Sequence, residues 1–116
     1  MPTKMNSKLF SELKKTKTYQ ELQSKRMEDG EDFDPFVLTD DCDYILHIAA
    51  RAGDYRAVEL LLEAGMDVNI LGDMDYTALH YAKWGGHENI VQLLLAHDAS
   101  TTLRNAFGTL PLDETP

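Results

Sequence analysis

Four histidines, one cysteine and twenty carboxylates are among the side chains of this 116-residue sequence able to transfer protons, hold a metal ion or attack a substrate. Their spacing argues against each of these chemistries. Cys42 has no second cysteine and no closely spaced histidine, so neither a disulfide nor a zinc-ligand pair is expected. His87 and His97 stand ten positions apart, without metal-ligand spacing. Gly85-Gly86 reads as a turn between helices and lacks the Lys-Ser/Thr that completes a phosphate loop. No pair of carboxylates is set apart for acid–base work. His47 and His80 occur in the same short context, Leu46-His47 and Leu79-His80, a recurrence that points to architecture. No catalytic residue, metal ligand or cofactor site is expected, and the chain is not expected to be an enzyme.

The elements that carry these residues are organised by charge and by repetition. Residues 1–26 hold seven basic and two acidic side chains, a net +5, and the remainder holds four basic and eighteen acidic ones, a net −14. The densest acidic stretch runs from Glu28 to Asp43 without a positive residue. Such a field repels nucleic acid and favours basic partners. No run of 18 apolar residues exists and residues 1–6 lack the apolar stretch of a secretory signal. A cytoplasmic chain without membrane contact is expected.

Slid against itself, the sequence matches at an offset of 33. Tyr44 to Asn69 and Thr77 to Thr102 share eight of 26 aligned positions, Leu46/Leu79, His47/His80, Ala49/Ala82, Gly53/Gly86, Val58/Val91 and three successive leucine pairs. Average composition predicts roughly two coincidences. Each copy has a short Leu/Ala-rich segment, a glycine break, a segment with apolar residues at helical spacing, and a turn. That pattern predicts a helix–turn–helix hairpin with Ala49, Ala50 and Ala82 permitting close approach and Val58, Leu61 and Leu62 forming a buried stripe. Helices this short are marginal alone, so stacking of hairpins must supply the stability.

These residues resemble the ankyrin repeat. The resemblance is carried by Leu46-His47-Ile48-Ala49-Ala50, Leu60-Leu61-Leu62, Gly65-Met66-Asp67-Val68-Asn69, Thr77-Ala78-Leu79-His80 and Gly86-His87. It implies an all-α solenoid of stacked hairpins with projecting loop fingers. It also implies that His47 and His80 hydrogen-bond backbone between neighbouring repeats. Asn69 resembles the asparagine-hydroxylation sites of some animal ankyrin repeats, with loop stabilisation the favoured role. Tyr44-Ile45 replaces Thr-Pro, Lys83 replaces an alanine, and Asp98 stands where a helix-ending glycine is usual, requiring a left-handed conformation there.

The whole chain, 1–116, is read as one domain: a degenerate N-terminal capping repeat at 6–34, repeats at 35–69 and 70–102, and a partial repeat at 103–116. Gly30-Glu31-Asp32-Phe33-Asp34 looks like a displaced copy of Gly65 to Asn69. Thr18-Tyr19-Gln20-Glu21 has capping-box spacing and would start a second helix through Leu22 to Met27, with one continuous helix from Ser7 to Met27 as the alternative. The partial last repeat either covers the final hairpin or marks a longer array.

In this family partners characteristically bind the concave face made by the fingers and the exposed side of each first helix. Carried over by position, the resemblance places Asp40, Asp41 and Asp43 on one finger, Asp73, Met74 and Tyr76 on the next and Phe107 on the last, with Arg51 and Trp84 on the first helices. Aromatic and methionine side chains beside aspartates suit a protein partner with a basic surface around an apolar projection. The expected function is protein binding by a chain monomeric on its own, an inhibitor or immunity-type role being one form of it. A scaffold fragment of a larger multi-repeat protein is the alternative, and an enzyme with an unrecognised site the remote one.

Overall fold

A computed structural model describes residues 5–26 and 32–114. Among these, six α-helices and two short 3-10 turns form three hairpins, with no strand. The first hairpin is α1 (Ser7–Lys14) and α2 (Lys17–Arg26), the second α3 (Ile45–Ala52) and α4 (Tyr55–Glu63), the third α5 (Ala78–Trp84) and α6 (Glu88–Ala96). The 3-10 turns, Asp73–Asp75 and Pro111–Asp113, precede and follow the third hairpin. Met27, Gly30 and Glu31, anticipated above as a helix end and part of a degenerate motif, lie outside the described residues.

The alanines set the stacking distance. Ala49, Ala50 and Ala82 are fully buried, and with no side chain beyond Cβ they let α3 pack directly on α5. Val58, Leu60 and Leu61 from α4 meet Ile90 and Leu94 of α6 in the same cluster. Each fully buried Leu, Ile or Val stabilises by about 1.5–3 kcal/mol. α4 is capped by Asp54, whose Oδ1 accepts from the Ala57 amide at 3.3 Å while Oδ2 accepts from the Thr18 amide at 3.0 Å. One carboxylate therefore caps a helix and pins the first hairpin to the second.

The first hairpin is two helices, and its start differs from the expected one. Thr16, not Thr18, opens α2: its Oγ1 donates to the Leu13 carbonyl at 2.6 Å and accepts from the Tyr19 amide at 3.4 Å. The hydroxyl thus satisfies groups on both sides of the break, which is why the chain turns after Lys14 despite good helix formers. Thr18 lies one position inside the helix, its amide already taken by Asp54. This hairpin also docks differently from the others. α1 rests mainly on α4 and α2 mainly on α3, whereas the later hairpins stack α3 on α5 and α4 on α6. Leu13 and Tyr19 fill the seam completely, and the Tyr19 ring stacks on Phe33 at 4.2 Å while its hydroxyl bonds both the amide and the carbonyl of Phe33.

Candidate functional site

The fingers repeat as faithfully as the helices. Thr39, Gly72 and Asn105, spaced by 33, each donate their amide four residues ahead, to the carbonyls of Asp43, Tyr76 and Thr109, at 2.9, 2.8 and 3.1 Å. Inside these turns Cys42, Asp75 and Gly108 share a left-handed backbone, with φ of 65, 60 and 79°. Only Gly108 adopts it without steric cost. Met74, directly before Asp75, is left-handed as well at φ 51°. Two consecutive non-glycine residues in this region turn the Met74 side chain outward, where it is 55% exposed, and its carbonyl accepts the Ala106 amide of the next finger at 2.9 Å.

Behind the fingers stand the buried histidines. His47 Nδ1 accepts from the Tyr44 amide at 3.0 Å and Nε2–H donates to the Ile70 carbonyl in the following repeat at 2.9 Å. His80 repeats the arrangement, with Nδ1 facing the Thr77 amide and Nε2–H donating to the Thr109 carbonyl at 2.9 Å. Burial lowers the pKa of His47 from its ordinary 6.5, opposed by the Ile70 carbonyl and the Asp43 charge. Both imidazoles are therefore committed to positioning the next finger. His87 serves the turns: its Nε2 bonds the Arg51 carbonyl at 2.9 Å, and a Cβ on Gly53 or Gly85 would stand within 2.8 Å of its ring. Asn69 is also structural, its Oδ1 accepting from the Ser100 amide of the next repeat at 2.8 Å.

On the finger side an open depression of about 290 Å³ gathers residues from three successive units. Arg51 comes from α3, Tyr81 and Trp84 from α5, Asp73, Met74 and Tyr76 from the second finger and Phe107 from the third. Arg51 and Trp84 occupy the same position in adjacent repeats, and the Arg51 guanidinium lies 5.5 Å from the centroid of the Trp84 ring. That is a cation–π geometry. Tyr76 meets Tyr81 at 5.1 Å and Phe107 edge-on at 6.4 Å. Trp84 is 39% exposed and Phe107 70%.

Six of the nine residues singled out from sequence thus line one depression. Asp40 and Asp41 are exposed on the first finger, outside it. Asp43 departs from expectation: it is 8% exposed and turned inward, accepting the Tyr81 hydroxyl on both carboxylate oxygens at 3.0 Å and the Asp73 amide at 3.0 Å. An unpaired carboxylate so placed would be costly, and these three contacts make its burial tolerable while fixing the second finger. Tyr81 was missed as a lining residue. Its signal was present, since a tyrosine stands where the preceding repeat has Ile48, and a buried hydroxyl demands a partner. Burial first, and the Asp43 charge second, raise the Tyr81 pKa well above its ordinary 10.0.

Among the described residues no group of three or more His, Cys, Asp or Glu side chains could hold a metal ion, and no helix is long and apolar enough to cross a membrane. With three hairpins, repeating fingers and inter-repeat histidines in place, the architecture is that of a repeat solenoid. The family described as ankyrin repeats, in three copies, matches residues 14–105, and the chain belongs to it. It is similar to a calmodulin-binding transcription activator of Arabidopsis thaliana, 33% identical over 113 residues, covering 97% of this chain and 11% of that protein. An ankyrin and IPT/TIG repeat-containing protein of Schizosaccharomyces pombe is 38% identical over 69 residues, covering 60% of this chain and 6% of the relative. An ankyrin repeat domain-containing protein of Mus musculus is 35% identical over 71 residues, covering 60% and 20%. The chain thus spans a fifth or less of the length of these relatives. Ankyrin repeats are in general non-catalytic modules that bind other proteins.

Proposed function

We propose that the chain binds a protein partner through the depression between the second and third fingers, and that the partner presents lysine or arginine side chains around an apolar projection. The observation that carries this reading is the convergence of Trp84, Tyr76, Met74 and Phe107 from separate repeats onto one open surface. These residue types supply large contact area at low entropic cost and dominate binding hot spots. The backbone strain at Met74 and Asp75 lies in the same finger, and strain retained at an exposed tip is a feature of ligand-contacting loops. Asp40, Asp41 and Asp73 would steer a basic partner during encounter. Asp43 drops out of the contacting set and acts by holding the finger. Binding of this kind acts by occupying a partner's surface, as an inhibitor or immunity-type protein in the cytoplasm does, with the chain itself monomeric. A second reading, a segment of a longer multi-repeat scaffold, is supported by the small share of each relative that the chain covers.

The test is affinity capture at two salt concentrations with wild type and Trp84→Ala. Capture of a basic protein, weakened by salt and by about 2 kcal/mol or more in the variant at unchanged thermal midpoint, is the expected result. Capture indifferent to Trp84→Ala would move the site to another face.

A further inference from the structure

The geometry points to a carboxylate receptor within this depression: Arg51, beside Trp84, takes an aspartate or glutamate side chain of the partner segment whose apolar residue enters between Met74, Tyr76 and Phe107. This inference rests on the reading of the face given above and adds the chemistry of the residue next to the apolar anchor.

Among the described residues Arg51 is the one cation lining the depression. A guanidinium carries five N–H donors in a rigid plane. The Arg51 guanidinium lies 5.5 Å from the centroid of the Trp84 ring, and among the described residues no hydrogen bond or ion pair engages it. The nearby carboxylate of Asp43 accepts from the Tyr81 hydroxyl and the Asp73 amide, and no ion pair joins it to Arg51. With no hydrogen bond to another described residue, its N–H donors are available to a carboxylate, which arginine receives through two parallel N–H···O contacts. The indole also restrains the side chain before binding, so less freedom is lost when the ion pair forms.

The surroundings limit where the acid can lie. Asp73 lines the same depression and repels a second carboxylate, so the acidic residue is confined to the Arg51 end, next to the apolar anchor. Basic residues of the partner then fall outward, towards Asp40 and Asp41 on the first finger. The recognised segment is therefore an acidic residue within one or two positions of a large apolar residue, set in a basic surround.

The experiment selects displayed random 12-residue peptides on the full chain and then measures resynthesised peptides against wild type, Arg51→Met, Arg51→Lys and the double variant Met74→Ala/Phe107→Ala. The expected pool is enriched in Asp or Glu within two positions of a large apolar residue. Binding of such a peptide should fall about ten- to a hundredfold in Arg51→Met, and by the same factor when its acid is replaced by the amide. The two changes together should cost little more than either alone, and Arg51→Lys should restore part of the loss. Peptides that need Met74 and Phe107 but are indifferent to Arg51→Met would overturn the inference and leave the face intact. Peptides indifferent to every variant, or a pool with no enrichment, would overturn both. Equal thermal midpoints of the variants establish that folding is not the cause.

Discussion

The Tyr81 hydroxyl reaches both carboxylate oxygens of Asp43 at 3.0 Å across 38 residues of chain, joining the base of the first finger to the first helix of the next repeat. Because Asp43 also accepts the Asp73 amide, one buried carboxylate couples two fingers and a helix.

Tyr81→Phe should destabilise by about 1–3 kcal/mol, the penalty for leaving a buried acceptor short of a partner. Alkaline pH offers an independent reading. The native state holds the Tyr81 proton more tightly than the unfolded chain does, so this contribution is complete below pH 10.0 and declines as pH rises towards the raised native value. Tyr19 and Tyr76 shift in the same direction, so Tyr81→Phe should flatten the alkaline loss of stability in part. Urea unfolding between neutral and strongly alkaline pH measures both effects, and an unchanged slope in the variant would refute the assignment.

His47 titrates with the opposite consequence. Its native pKa lies below the ordinary 6.5, so the unfolded chain protonates first on acidification. Stability from the neutral imidazole is complete above pH 6.5 and is lost as pH falls towards the native value, where a proton on Nδ1 would confront the Tyr44 amide. The stability gap between wild type and His47→Gln should therefore narrow from pH 7.5 to pH 5.5. A gap of constant size across that range would count against the mechanism.

Left-handed backbone at non-glycine positions predicts stabilising changes. Asp98, at φ 65°, ends α6 where the preceding repeat uses Gly65 at φ 93°, and Asp75 occupies the position of Gly108. Asp98→Gly and Asp75→Gly should each stabilise by up to about 1 kcal/mol. Thermal midpoints that stay put or fall would show that local carboxylate contacts outweigh the backbone strain. The two sites differ in function: glycine at position 75 loosens the finger tip and should weaken partner binding, whereas glycine at 98, remote from the depression, should leave it unchanged.

Gly72 is required for a different reason. Its φ of −105° is open to any residue, but a Cβ there would collide with the Asp43 carboxylate and stand 2.9 Å from the His47 ring. Gly72→Ala should cost about 1–3 kcal/mol through overpacking. Denaturant unfolding measures it, and a neutral substitution would mean that the Asp43 side chain shifts freely.

Much of the candidate site was legible because position 33 residues away is a strong guide to placement. Arg51 and Trp84 were both assigned to the exposed side of a first helix, and they lie there in contact. Asp43 was misplaced by the same logic. Its equivalent in the next repeat is Tyr76, which does line the depression, but the repeat rule carries backbone position and not the hydrogen bonds a particular side chain finds. The first hairpin escaped for a related reason. Its sequence shows a capping motif at Thr18, yet Thr16 wins because its hydroxyl satisfies both the end of α1 and the start of α2.

By itself the sequence determined the repeat and the hairpins, because a 33-residue period and helical spacing of apolar residues are local properties, written in the order of side chains. It also determined which residues would be carried on fingers. Only the tertiary structure decided that α2 packs on α3 and α1 on α4, that Asp43 turns inward to Tyr81, and that Arg51 lies over the Trp84 ring. Those outcomes depend on desolvation and on contacts between residues far apart in the chain, whose energies exist only once the hairpins are stacked.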